Sequence, residues 1–348
     1  MKKNKTAAPA NSLAAKKIFK DPRMGYVLFG LVMCLVPLLQ TMGMMRTSNV
    51  LLLGQVLIYC IAAVGMNVLL GWGGLLSIGS AGFMGLAAYL TAYVTQVMGL
   101  PFELGALVGV IVPTLIGLII GLISLRIRGI YLAIASTIVA EILYKIFREV
   151  NAFTNTYTGR KAPYPTLFGA IKLNQNTTFI MVTVILVLTM VLVYNFSKSR
   201  TGRAMLSMRG SEVAAQAMGV NLLKYRLLAF TFATVTASVA GVLYAHFYRF
   251  IYPGSWSLTL SLYIVVSVII GGQRSIGGSV LGAFVVFGFP EFVLKKIPVL
   301  GDMSGFPLVF TGILIIVLLL GYPQGLMYLP GDIVKAIRKK CRKGGDAA

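Results

Sequence analysis

Few residues in this 348-residue sequence could do chemistry: nine are Asp or Glu and one is His. His246 stands alone, so no metal cluster can form around it. Cys34, Cys60 and Cys341 fit no CxxC or Cys/His spacing and read as unpaired. There is no Gly-x-x-x-x-Gly-Lys-[Ser/Thr] run to cradle a nucleotide phosphate and no Ser/His/Asp arrangement. The sequence therefore does not read as an enzyme.

The segment with the most chemical meaning is Ser211-Glu-Val-Ala-Ala-Gln-Ala-Met-Gly219. Ser211 is a natural N-cap, and Glu212 complements the dipole of a first turn. Ala214 and Ala215 favour helix, and Gly219 suits a stop. The spacing predicts a short, stiff, small-sided helix of two turns. Such a helix serves either as a docking knob, with Glu212 free for a basic contact, or as a plain connector between two membrane crossings.

Four other features carry weight. Glu141 falls about twelve residues into an apolar run, where a carboxylate costs ~2.5–3.5 kcal/mol. Lys145, one turn later, is a good ion-pair partner. A structural pair facing the bundle interior is the expectation, and a proton or substrate contact the alternative. Residues 71–82 hold five glycines in twelve positions, including Gly73, Gly74 and Gly79 around Ser77. Residues 271–278 form a second glycine-rich break. Such breaks either line a pathway or let helix ends pack tightly. His246, Trp72 and Trp256 are expected in interfacial belts.

The elements that must position these residues follow from composition. Of the chain, 57 % is hydrophobic, about 198 residues, and only 11 % is charged, against about 25 % in soluble domains. At about 20 apolar residues per crossing, the expectation is an all-α polytopic membrane protein of about ten transmembrane helices. The crossings are placed near 24–45, 50–70, 82–98, 104–125, 129–147, 177–196, 227–248, 258–270, 279–294 and 307–320. A basic N-terminus (1–23) and a basic tail (331–348) flank a transmembrane domain (24–330), whose longest loop on the side of the two ends is 197–226. The fourth crossing carries Gly105, Gly109, Gly117 and Gly121 at one-turn spacing, which permits close helix packing.

The net charge of +22 would suit a nucleic-acid binder, but its placement says otherwise. Ten crossings put both ends, both glycine breaks and the 197–226 loop on one side. That side holds 22 of the 31 Lys and Arg residues. The bias places both termini in the cytoplasm, with the tail against membrane lipid and no role for nucleic acid.

Glu212-x-Ala214-Ala215-xxx-Gly219 resembles the EAA coupling loop of ABC importer permeases. Thr201-Gly-Arg-Ala, Lys224-Tyr-Arg-Leu-Leu-Ala-Phe, Pro253-Gly-Ser-Trp-Ser and Gly271-Gly-Gln-Arg-Ser-Ile-Gly-Gly resemble branched-chain amino acid permeases of the LivM type. The resemblance spans roughly residues 50 to 330. Gln273-Arg274 stand where the family more usually has Leu-Gly, and Thr158-Gly-Arg-Lys-Ala-Pro where it often has a Thr-Gly-Gly-Ser-like run. The resemblance implies a multi-pass permease of the prokaryotic inner membrane, paired with a second, homologous permease. Two cytoplasmic ATP-binding subunits would dock on Ser211, Glu212, Ala214, Ala215 and Gly219. ATP-Mg would bind on those partners, this chain carrying no cofactor. An extracytoplasmic binding protein would deliver branched-chain or related small amino acids. Urea or another small metabolite, or a stand-alone secondary transporter or channel, are the alternatives.

Overall fold

The computed structural model describes residues 22–124, 130–167, 171–294, 306–322 and 324–329. Each of the ten apolar segments read from the sequence is helical. They are α1 (Pro22–Thr41), α2 (Thr47–Asn67), α3 (Ser80–Gln96), α4 (Phe102–Ser124), α5 (Ile130–Glu149), α7 (Gln175–Lys198), α10 (Leu222–Tyr248), α11 (Leu258–Gly271), α12 with α13 (Ile276–Ala283 and Phe289–Leu294) and α14 (Phe306–Gly321). Shorter helices lie in the connections: α6 (Asn151–Thr154), α8 (Arg200–Gly210) and α9 (Glu212–Ala217). Five of the long segments are long and apolar enough to span a membrane: 22–41, 47–72, 102–124, 175–198 and 222–248. The basic ends, Arg126, Arg128, Cys341 and Lys295–Lys296 fall outside the described residues, so the charge bias is only partly visible.

α2 is the buried axis. Its residues from Val56 to Asn67 are all enclosed, because α10, α7 and the α11–α12 pair surround it. Glycines set the approach distances. A Cβ on Gly65 would overlap the Thr236 side chain of α10, and one on Gly241 would overlap the Met84 carbonyl of α3. α4 is packed as its glycine spacing predicts: Gly105, Gly109, Gly117 and Gly121 are all buried. A Cβ on Gly109 would meet Val242 at 2.9 Å, and one on Gly117 would meet Thr234 at 2.8 Å. Its other face, Leu104, Leu107, Ile111, Leu115 and Ile119, is exposed, the apolar surface a lipid-facing helix shows.

Two long helices are interrupted. α2 passes into a π-helical turn, Val68–Trp72, at the first glycine break. The ninth segment starts at Ile276, three residues before the expected Ser279, because Ser275 caps it by accepting from Gly278 N at 3.0 Å. It too contains a π-helical turn, Phe284–Gly288. Such turns recur at functional sites.

At the end opposite the 197–226 loop, four two-residue strands form: β1 (Arg160–Lys161), β2 (Thr166–Leu167), β3 (Ile171–Lys172) and β4 (Phe250–Ile251). β1 pairs antiparallel with β4 and β2 with β3. His246 is fully buried there, which corrects the expectation of a belt residue. Its Nδ1 lies 2.8 Å from Pro163 O. A carbonyl only accepts, so Nδ1 carries the proton, and Nε2 accepts from Thr91 Oγ1 at 3.1 Å. Trp72 and Trp256 are likewise buried rather than interfacial, Trp256 to 1 % exposure.

Candidate functional site

The 197–226 loop folds as three successively capped helices. Ser199 accepts from Gly202 N at 3.3 Å, Ser211 from Ala214 N at 3.3 Å, and Asn221 from Lys224 N at 3.0 Å. Gly219 takes φ +82, a conformation that disfavours side chains, and its N–H donates to Gln216 O at 3.0 Å. The two-turn helix read from the sequence is α9. Ala215 is its buried contact, whereas Ala214 and Ala217 face outward. Val213 and Met218 are 80 % and 85 % exposed, so α9 ends the loop in a small apolar knob.

Glu212 is not free for a partner. It forms an ion pair with Arg226 in the first turns of α10. Arg226 is buried, so the pair fixes the angle between the knob and α10.

Arg209, at the end of α8, is the hub that sequence reasoning missed. Its guanidinium donates to Gly71 O, to Leu70 O at 3.4 Å and to Gln273 Oε1. Burial, then the nearby Arg274 charge, lowers its pKa; carbonyl acceptors rather than a carboxylate stabilise the cation. Gly74 takes φ +68, and a Cβ there would stand 3.0 Å from Arg209 Cγ. Asn67, at the end of α2, completes the arrangement. Its amide donates to Ser275 O at 2.9 Å and Ser279 Oγ at 2.7 Å, and accepts from Arg274 N at 2.9 Å. One end of the bundle thus joins both glycine breaks to the loop. An open cavity lined by Gly73, Gly74, Arg209, Glu212 and Gln273 lies between them. Asn67 was missed as well; the signal for it is an amide inside an apolar run, a costly placement.

The remaining 71–82 residues are packed. Gly73 and Ser77 are buried. Ile78 N donates to Ser136 Oγ at 2.9 Å and Ala81 N to Ser261 Oγ at 2.9 Å, so α5 and α11 satisfy the irregular backbone. A Cβ on Gly79 would lie 3.2 Å from Ser136 O. Ser77 touches a cavity of about 10 Å³, room for one water at most. Glu141 is half-buried on a flank of α5 beside exposed Ile138 and Ile142. It makes no ion pair with Lys145 among the described residues, so the expected interior pair is absent. No group of three His, Cys, Asp or Glu side chains converges among the described residues.

Apolar helices with lipid-type outer faces, five of them among the described residues long enough to span a membrane, mark a multi-pass helical membrane protein. Residues 49–320 match the family described as branched-chain amino acid transport system, permease component. The chain belongs to that family of ABC transporter permeases. It is 26 % identical over 309 residues to the high-affinity branched-chain amino acid transport system permease protein LivM of Salmonella typhimurium, covering 82 % of this chain and 71 % of that one. It is 26 % identical over 315 residues to LivM of Escherichia coli, covering 84 % and 72 %. A solved structure, PsaBC from Streptococcus pneumoniae in complex with Fab, superposes with a TM-score of 0.44 at 15 % identity, covering 78 % of this chain and 90 % of that one.

Proposed function

We propose that the chain is the membrane-spanning subunit of an ATP-driven importer for branched-chain or related small amino acids. It pairs with a second, homologous permease, crosses the inner membrane about ten times and keeps both ends in the cytoplasm. Two ATP-binding subunits carry ATP-Mg and seat on α9. An extracytoplasmic binding protein delivers the substrate to the opposite end. The observation that carries this reading is the exposed knob. Val213 and Met218 stand almost fully in water, while the Ser211 cap and the Glu212–Arg226 pair hold the helix beneath them rigid. Exposed apolar tips on a rigid mount fit a groove on a partner.

ATP-driven closure of the partners would push α9. α8 follows through the Ser211 junction, and Arg209 passes the displacement to the end of α2 and to the 271–278 break. The test is co-purification with the ATP-binding subunits, together with leucine uptake into proteoliposomes. Val213→Asp combined with Met218→Asp should abolish both while the chain still inserts. Normal co-purification and uptake by the double variant defeats the docking role. Uptake by the purified chain alone, driven by an ion gradient, defeats the importer reading.

A further inference from the structure

A second site lies in the other half of the bundle, far along α2 from Asn67. A cavity of about 420 Å³ opens between α2, α11, the π-helical turn Phe284–Gly288, α13 and α14, within the usual 300–1,000 Å³ of small-molecule pockets. Its lining divides into three chemical parts.

The first part donates hydrogen bonds. Tyr248 OH donates to Gln55 Oε1 at 2.7 Å, and Gln55 Nε2 donates to Tyr59 OH at 3.1 Å. Tyr59 therefore accepts from Gln55 and keeps its own proton to give, in the cavity it lines. Ser257 and Thr259 also line the cavity at the start of α11. That helix has no side-chain cap, so its first-turn N–H groups and dipole favour negative charge. The second part is Glu291, a carboxylate at the rim, with aromatic rings close by that can support a cation: Phe287 packs on Tyr59 at 4.4 Å and on Tyr263 at 6.1 Å. The third part is apolar: Leu260, Val286 and Phe287.

Donors on one side, a carboxylate on another and an apolar wall between them match a zwitterion with an aliphatic side chain. A polar chain inside an apolar span is costly, and the cavity sits on the one π-helical turn of the ninth segment. We infer that this cavity is a transit site for an α-amino acid. Tyr59 and the start of α11 receive the carboxylate, Glu291 the ammonium, and Val286 with Phe287 the side chain. The inference rests on the amino acid importer reading and adds where the substrate pauses inside this chain.

The test separates the two. The permease complex without its binding protein, in nanodiscs, is examined by saturation-transfer NMR with L-leucine, leucinamide (no carboxylate) and 4-methylpentanoate (no ammonium). The complete importer is assayed in parallel for leucine uptake and binding-protein-stimulated ATP hydrolysis. Tyr59→Phe should weaken leucine and 4-methylpentanoate about tenfold, the loss of one hydrogen bond to a charged group, and spare leucinamide. Glu291→Gln should weaken leucine and leucinamide and spare 4-methylpentanoate. No leucine signal from the wild type, wild-type binding by both variants, or equal loss of all three ligands overturns the site. A wild-type importer that takes up no amino acid overturns the importer reading instead, and the site with it.

Discussion

The two ends of the bundle hold irregular backbone in opposite ways. At the α9 end, a few side chains do it. Arg209 reaches the carbonyls of one glycine break and Gln273 of the other, and Asn67 straps residues 274–279 to α2. At the far end the work is shared. β1 pairs with β4, Ala162 N donates to Arg249 O at 2.9 Å, His246 binds Pro163, and Arg249 lies 4.4 Å over the Tyr164 ring. A shared clasp tolerates single losses and stays put. A hub of one or two side chains makes distant segments move together, and fails when one residue is lost.

The largest expected effect breaks the hub. Arg209→Ala leaves the Gly71 carbonyl and Gln273 without their donor, which should cost about 3 kcal/mol. It should lower the thermal midpoint in detergent and abolish uptake; an unchanged midpoint with normal uptake would remove the hub from the comparison. Glu212→Lys comes next. It sets a like charge against buried Arg226, at a cost of about 2 kcal/mol, and should end ATP-binding-subunit co-purification while the chain still inserts. His246→Phe probes the shared clasp. It keeps the ring against Phe102 and loses two hydrogen bonds, so a loss of about 1–2 kcal/mol is expected, with co-purification unaltered. If co-purification falls too, the two ends are not independent. Glu141→Gln should be smallest, within about 0.5 kcal/mol and without effect on uptake. Lost uptake at unchanged stability would place that flank of α5 in the pathway.

The helices were legible in the sequence because apolar length is a local property. All ten segments appear within a few residues of their expected bounds. The capped knob was legible for the same reason: Ser211 accepts from Ala214 N and Gly219 N donates to Gln216 O, each three positions away, whereas the Glu212–Arg226 pair spans 14 positions and was not read. What escaped was long-range. Asn67 and Arg274 are 207 positions apart, and Arg209 and Gly71 are 138 apart; no local pattern pairs them. His246, Trp72 and Trp256 were misplaced because a hydrophobic run looks alike whether lipid or protein surrounds it. The Glu141–Lys145 spacing allowed a pair that the two side chains do not make. Gln273, which departs from the usual family residue, proved to be an Arg209 acceptor, so the departure has a structural use.

The second glycine break also bears on helix length. α11 has 14 residues, roughly 21 Å at helical rise, too short to cross a hydrocarbon layer of about 30 Å unaided. Its end is also pressed onto its successor. A Cβ on Gly271 would overlap the Gly278 carbonyl, and one on Gly282 would overlap the Ser267 carbonyl. Backbone touches backbone, with no side chain between. A hairpin of α11 with α12 is then the smallest unit that fills the layer, and a bulky residue at Gly271, Gly278 or Gly282 should force the two apart and lower the yield of folded chain, read as the monodisperse fraction in detergent.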